Sequence, residues 1–191
     1  MKNVKPIDQC QAILSEMEAV ITRVDPEQVD RMVDAILQAP HIFVTGTGRS
    51  LLMVRALAMR LMQLGFSTFV VGETVTPAIG SDDLLIIGSG SGETATNQVI
   101  GLRAKESGAR LALFSIFPDS TLGKMADVIV EIPATTTLSA KPGRAVSIQP
   151  GASLFEQCLL ILFDSIILQI IKRKKITDFN VLLMQNHANL E

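Results

Sequence analysis

Apolar residues in this chain form short continuous runs that alternate with longer segments of helical periodicity. Five runs have the length of a single strand: Ile42–Thr45, Thr68–Val71, Leu84–Ile87, Arg110–Ser115 and Val128–Ile132. Strands that are apolar throughout and alternate with helices are typical of a parallel sheet covered on both faces. The pattern therefore predicts an α/β fold with a doubly wound, five-stranded parallel sheet in the flavodoxin-like order 2-1-3-4-5.

Several of the intervening segments carry signals for where a helix begins or ends. Asp25–Gln28 offers an N-cap, a proline at the first helical position and a Gln where a capping box requires one. Glycine directly follows the predicted helices Arg49–Leu64 and Glu93–Ser107, as is common at helix C-termini. A strongly apolar helix is predicted at about Ser153–Lys172, followed by a short helix from Thr177 and a polar tail.

The length of 191 residues fits one domain. We expect N-terminal helices over residues 1–39, an α/β core over residues 40–150, and C-terminal helices and tail over residues 151–191. Within the core, residues 133–151 are rich in Thr, Ser and Pro and predict a long loop. Loops of that length in a compact domain are usually functional.

Charge and composition exclude several kinds of partner. Lys and Arg number 17 against 19 Asp and Glu, so a basic footprint for nucleic acid is absent from the sequence. The longest apolar run, Cys158–Ile171, spans only 14 residues, so we expect no membrane segment. The first residues lack the apolar core of a signal peptide, and two cysteines make no disulfide framework, which together favour the cytoplasm.

Only 19% of the residues are charged while 48% are hydrophobic, which is unusual for one small domain. Apolar residues surround much of the predicted helix Ser153–Lys172, more than one face of a sheet would cover. Subunit interfaces would bury this excess. We therefore expect a homo-oligomer, in the form of a tetramer built from two dimers.

Glycine-rich turns follow the first and third predicted strands, which meet where the winding direction of such a sheet reverses. The turns are Gly46–Ser50 and Gly88–Thr94, and both open helices. Backbone N–H groups, helix dipoles and hydroxyls would converge there into a phosphate site made of neutral donors. The alternative is that the glycines only make tight turns. The residues expected to bind the phosphate or sugar are Gly48, Arg49, Ser50, Ser89, Gly90, Ser91 and Thr94.

Other ligand chemistries fit the spacing less well. Neither turn has the lysine of a nucleoside-triphosphate-binding loop, and the first lacks the third glycine of a dinucleotide fingerprint. Glu73 stands where a ribose-binding acid would belong, so NAD binding remains a weaker alternative. His41 and His187 lie far apart in sequence without a ligand cluster, so we expect neither a metal nor a cofactor.

The segment Ser89–Thr94 carries a resemblance to a known family, because it matches the S-x-S-G-[ED]-[ST] turn of sugar isomerase (SIS) domains. Within that family the chain resembles the 6-phospho-3-hexuloisomerases most, over residues 46–50, 58–66, 71–79, 149–157 and 187–191. The resemblance implies cofactor-free interconversion of D-arabino-hex-3-ulose 6-phosphate and D-fructose 6-phosphate through a cis-enediol. It also implies a place in formaldehyde fixation by the ribulose monophosphate pathway.

Glu156 is the candidate base for this reaction, since one carboxylate with a raised pKa could carry the proton between C2 and C3. It aligns with the base of related isomerases, although it could also be an ordinary acid in the first turn of a helix. The resemblance implies a role for His187 as well, supplied within its own subunit or by a neighbouring one. Asn186 departs from the family pattern, where we expect an arginine, and Arg49 could equally form a surface ion pair.

Two other functions remain open at this point. The chain could be another SIS isomerase, acting on arabinose 5-phosphate or sedoheptulose 7-phosphate. It could also be a sugar-phosphate-sensing module without catalysis.

Overall fold

The computed structural model describes residues 5–136 and 147–190, and seven helices and five strands lie within them. In chain order they are α1 Pro6–Ile21, α2 Pro26–Gln38, β1 His41–Gly46, α3 Gly48–Gln63, β2 Ser67–Val70, β3 Leu84–Gly88, α4 Ala95–Glu106, β4 Arg110–Ser115, α5 Thr121–Met125, β5 Val128–Glu131, α6 Ser153–Arg173 and α7 Phe179–Gln185. Each predicted strand is present, and no strand end differs from its predicted position by more than one residue.

The five strands form one parallel sheet in the order β2-β1-β3-β4-β5, which confirms the predicted topology. The chain crosses from β1 to β2 in one direction and from β3 towards β5 in the other. The reversal therefore lies between β1 and β3, whose last residues, Gly46 and Gly88, are register partners. This pairing brings the ends of two strands, and the turns that follow them, to one point.

Both faces of the sheet are buried, as continuous apolar strands require. On one face, alternate strand residues pack into a large core shared with α1, α2, α3 and α6. On the other face, Phe43, Leu85, Ile87, Leu111 and Leu113 pack against α4 and α5. The C-terminal helix α6 thus lies on the same face as α3, which determines where its first turn meets the sheet.

The signal at the start of α2 is confirmed only in part. The Asp25 side chain accepts a hydrogen bond from the Glu27 N–H, and Pro26 is the first helical residue. The predicted capping box is wrong, because Gln28 turns its side-chain oxygen away and accepts a hydrogen bond from the N–H of Glu131 at 2.7 Å. That bond joins α2 to the last strand, an interaction that local sequence spacing does not reveal.

Helix α6, Ser153–Arg173, ends within one residue of the helix predicted at about Ser153–Lys172, and it extends beyond the apolar run Cys158–Ile171 at both ends. At 21 residues it is the one helix among residues 5–136 and 147–190 that is long and apolar enough to cross a membrane. The length argument against a membrane segment therefore fails. However, 56% of its most apolar window is buried inside the protein, as in a core helix. Its inner surface includes Phe155, Phe163 and Ile166, all fully buried.

The predicted loop over residues 133–151 is described only at its two ends. Residues 137–146 lie outside the described residues. At the ends, the hydroxyl of Thr136 donates to the carbonyl oxygen of Gly151 at 3.0 Å, which brings the two described stretches together.

Candidate active site

The two glycine-rich turns leave the paired ends of β1 and β3 and open α3 and α4. Close packing requires glycine here: a Cβ on Gly88 would lie 2.8 Å from Val54 of α3 and 3.2 Å from Leu159 of α6. A Cβ on Gly90 would lie 3.2 Å from Phe155 in the first turn of α6. The ends of β1 and β3 and the starts of α3, α4 and α6 therefore surround one crevice.

Hydroxyl groups of the β3–α4 turn close the turn themselves. Ser89 Oγ accepts a hydrogen bond from the Gly92 N–H at 3.2 Å, and Ser91 Oγ accepts one from the Glu93 N–H at 3.1 Å. The expectation of free backbone N–H groups is therefore wrong for Gly92 and Glu93. Because each serine oxygen acts as acceptor towards the turn, its own O–H can still donate to a ligand.

The other predicted phosphate-binding residues lie at the starts of α4 and α3. Thr94 is the N-cap of α4 and makes no side-chain capping bond, so its hydroxyl is not used by the helix. On the other turn, Gly48 has a φ of 57° and begins α3, while Ser50 is buried in its first turn. The starts of two helices of at least 12 residues thus face the crevice with positive dipole ends.

A buried amide joins the two turns, and the sequence analysis missed it. Thr47 Oγ donates to Asn97 Oδ1 at 3.2 Å, and Asn97 is only 1% exposed. Asn97 Nδ2 has no hydrogen-bond partner within the described part of the chain. A polar residue at a buried helical position three residues after an N-cap could have drawn attention to Asn97, but its partner on another turn could not be predicted.

Glu156 and Arg49 form an ion pair across the crevice, with 2.9 Å between Glu156 Oε2 and Arg49 Nε. Glu156 is 8% exposed, in the first turn of α6, whereas about half of the Arg49 side chain remains exposed at the start of α3. Burial raises the pKa of Glu156 above its ordinary value, and the charge of Arg49 opposes part of that rise. The geometry provides a carboxylate that can take and return a proton, next to a cation that can stabilise an oxyanion.

His187 lies outside this cluster within its own chain. Its Nδ1 atom lies 3.0 Å from the carbonyl oxygen of Ala188, and its ring is exposed. The neighbouring Asn186 Nδ2 donates to the backbone oxygen of Gln63 at 3.1 Å, which docks the tail at the C-terminal end of α3. Arg49 stands 14 positions earlier on that helix, or roughly 21 Å at about 1.5 Å per residue.

Other candidate carboxylates have structural partners. Glu73 forms an ion pair with Arg55, and Glu93 accepts hydrogen bonds from the Thr121 N–H and from Gln98. Across residues 5–136 and 147–190 there is no group of three or more His, Cys, Asp or Glu side chains that could hold a metal ion.

Comparison with known proteins now defines the class. The family model for the SIS domain matches residues 35–148, a stretch that ends before Glu156. A 3-hexulose-6-phosphate isomerase of Bacillus subtilis is 38% identical over 188 residues, covering 98% of this chain and all of the relative. A second protein of that name, from Mycobacterium gastri, is 39% identical, and the alignment covers 94% of this chain and 88% of the relative.

A solved structure agrees with these relatives. The protein from Methanococcus jannaschii, whose crystal structure infers the function of a 3-hexulose-6-phosphate isomerase, superposes with a TM-score of 0.82 at 28% identity. The superposition covers 96% of this chain and 99% of that one. The chain belongs to the SIS domain family of sugar-phosphate isomerases.

Replacing Glu156 by Gln should change how stability depends on pH. The folded protein holds the proton of Glu156 more tightly than the unfolded chain does. Protonation of Glu156 therefore adds its full contribution to the free energy of unfolding below the ordinary pKa of a glutamate. That contribution is lost as pH rises through the raised pKa of the folded state. We expect the free energy of unfolding of Glu156→Gln, relative to wild type, to increase between pH 4 and pH 7. Urea unfolding of both proteins measures this difference, in which the other titrating groups cancel, and a flat or falling difference would contradict the burial effect.

Proposed function

We propose that this protein interconverts D-arabino-hex-3-ulose 6-phosphate and D-fructose 6-phosphate, with Glu156 as the acid–base group. The observation that carries the proposal is the buried Glu156 carboxylate, with its raised pKa, held at 2.9 Å from Arg49 beside the serine-rich turn. The names of the similar proteins favour hexulose 6-phosphate over other sugar phosphates.

Substrate binding begins at the two turns. The phosphate would accept hydrogen bonds from the hydroxyls of Ser50, Ser89, Ser91 and Thr94 and from backbone N–H groups near Gly48 and Gly90. Neutral donors and helix N-termini hold a phosphate without burying further cations. The sugar carbons would then extend towards the start of α6, where Glu156 and Arg49 meet.

The reaction requires one proton to move between adjacent carbons. Glu156 removes the proton from C2 of the hexulose, the C–H electron pair forms the C2=C3 bond, and the C3 oxygen becomes an enediolate oxygen. Arg49 donates a hydrogen bond to that oxygen and lowers the cost of its charge. The proton of the C2 hydroxyl then passes to the C3 oxygen, which becomes a hydroxyl. The electron pair of the C2=C3 bond takes the proton back from Glu156 at C3, and C2 is left as the carbonyl carbon of the product. The step needs no external oxidant or reductant, because no electrons leave the substrate.

His187 fits this scheme only through a neighbouring copy. Since Asn186 docks beside Gln63, at the far end of α3 from Arg49, the tail is anchored away from the crevice of its own chain. A partner subunit would bring its His187 to the substrate oxygens, where an imidazole can transfer protons near neutral pH. We further propose a single SIS domain over residues 1–191 and a cytoplasmic place for the enzyme.

A homo-oligomer, expected as a tetramer, supplies that neighbour. Helices α3 and α7 pack against each other and leave large apolar side chains exposed, among them Met59 and Met62 on α3 and Val181 and Met184 on α7. Exposed apolar groups of this extent are commonly covered by another subunit.

The first prediction concerns catalysis. Glu156→Gln should lower kcat for hexulose 6-phosphate about 10²–10⁴-fold, because the amide cannot accept the C2 proton. The exposed Asp164→Asn on the same helix serves as the matched control and should leave kcat unchanged. A coupled assay that detects fructose 6-phosphate, run beside one with arabinose 5-phosphate, measures both. Full turnover by Glu156→Gln would exclude Glu156 as the base, and wild-type turnover of arabinose 5-phosphate alone would exclude the proposed substrate.

The second prediction concerns the phosphate. Ser91→Ala should raise KM for the phosphorylated substrate at least about tenfold with a smaller effect on kcat, because one hydrogen bond to a charged group contributes about 1.5–3 kcal/mol. Ser107→Ala, at the exposed end of α4, provides the control. If KM is the same for both variants, the β3–α4 turn does not hold the phosphate.

The third prediction concerns assembly. Light scattering after size exclusion at micromolar concentration should give about four times the 20.6 kDa chain mass. Met184→Glu should lower both the assembled mass and kcat. The new carboxylate would be buried in the proposed subunit interface, which destabilises the assembly, and the separated subunits would no longer supply His187 to each other. A wild-type monomer with full activity would refute both the tetramer and the shared role of His187.

A further inference from the structure

Glu16 of α1 binds the stretch of chain that leads into α6. Its carboxylate accepts three hydrogen bonds: from Ser147 Oγ at 2.7 Å, from the Ile148 N–H at 2.9 Å and from Gln149 Nε2 at 3.0 Å. All three donors lie more than 130 positions further along the sequence. One side chain of the first helix therefore holds three successive residues, which we call the Glu16 clamp.

Two donors within the clamp are also hydrogen-bonded to each other. Ser147 Oγ also accepts a hydrogen bond from the Gln149 N–H at 3.0 Å, so the hydroxyl links Glu16 to the backbone. Gln149 is only 4% exposed, and its Oε1 has no partner within the described residues. A buried amide that uses only its N–H side depends strongly on Glu16 for its position.

Charge supports this arrangement. Burial by itself would raise the pKa of Glu16, but the hydrogen bonds from Gln149, Ile148 and Ser147 outweigh it and hold the pKa below its ordinary value. The carboxylate is therefore ionised at neutral pH, and hydrogen bonds to an ionised acceptor are the stronger kind.

The clamp is connected to Glu156 by a short, hydrogen-bonded path. The Ser153 N–H donates to the Pro150 carbonyl at 3.2 Å, and the Glu156 N–H donates to the Ala152 carbonyl at 3.1 Å. Next to Glu16, the Met17 carbonyl lies 4.0 Å from the thiol sulfur of Cys158 on α6. Helix α1 thus contacts the chain just before α6 through Glu16, and α6 itself just after Glu156 through Met17.

We propose that Glu16 is a positioning residue for the isomerisation, which holds residues 147–149 so that the first turn of α6 presents Glu156 to Arg49. The inference rests on the proposed function, because it assigns Glu16 an effect on the acid–base step. Glu16 itself touches neither the crevice turns nor the ion pair. It acts through the segment Ile148–Ala152 and the backbone of α6.

The test compares Glu16→Gln with Glu18→Gln, an exposed residue two positions further on the same helix. Glu16→Gln keeps the shape of the side chain but replaces one acceptor oxygen by a donor, so at least one of the three bonds is lost. We expect kcat for hexulose 6-phosphate to fall about 10- to 100-fold while KM changes less than about threefold, since small misplacement of a catalytic group mainly slows the chemical step. Glu18→Gln should match wild type.

Hydrogen exchange provides a readout that does not use activity. In Glu16→Gln, the amides of Ile148 and Gln149 should exchange faster than in wild type, and so should those in the first turn of α6. Amides of α4 should be unchanged. Should Glu16→Gln fail to fold, Ser147→Ala removes one of the three bonds and should give the same pattern with a smaller loss of kcat.

The outcomes separate the two proposals. Faster exchange at residues 148–149 with wild-type kcat would overturn the positioning role, and so would unchanged exchange in the first turn of α6. If wild type shows no turnover of hexulose 6-phosphate, the proposed function fails. The exchange pattern would then still decide whether Glu16 orders the start of α6.

Discussion

The ion pair between Arg49 and Glu156 is the interaction on which the candidate site depends. A carboxylate that is 8% exposed would be costly to ionise without a partner, and Arg49 at the start of α3 supplies one. That start is positioned by the pairing of Gly46 with Gly88, since both turns leave the sheet at this pair. Packing of Val54 and Leu159 over Gly88 then brings α3 and α6 together. The position of Glu156, the proposed acid–base group, is thus a consequence of how α3 and α6 pack over the ends of two strands.

Most of the fold was predictable because its signals are local. Continuous apolar runs predicted all five strands and their order, and Gly65 and Gly108, both with positive φ, end α3 and α4 as expected. The capping box failed because Gln28 finds a better partner on β5, far away in sequence. By contrast, α6 at Ser153–Arg173 lies within one residue of the helix predicted at about Ser153–Lys172.

The site was predictable in its parts but not in its contacts. The serine-rich turn and Glu156 stood out by motif and resemblance, whereas the contact between Arg49 and Glu156 joins residues more than 100 positions apart. The Thr47–Asn97 hydrogen bond and the Glu16 clamp also join residues that are far apart in sequence. These are ordinary polar residues, and their distant partners are what make them important to the structure of the site. Asn186 is instructive in another way: it departs from the expected arginine, yet it docks the tail on Gln63. The apolar pattern predicts an oligomer, but the sequence does not show which subunit would bring the proposed His187 to a substrate.

The central claim is that burial prepares Glu156 to exchange a proton while Arg49 limits how far its pKa rises. The direct test is an NMR titration of the Glu156 side-chain carboxyl carbon, assigned by comparison with Glu156→Gln, in wild type and in Arg49→Met. The account predicts a pKa above the ordinary value of 4.5 in wild type and a higher one in Arg49→Met. A wild-type pKa at or below 4.5, or no rise when Arg49 is removed, would contradict it.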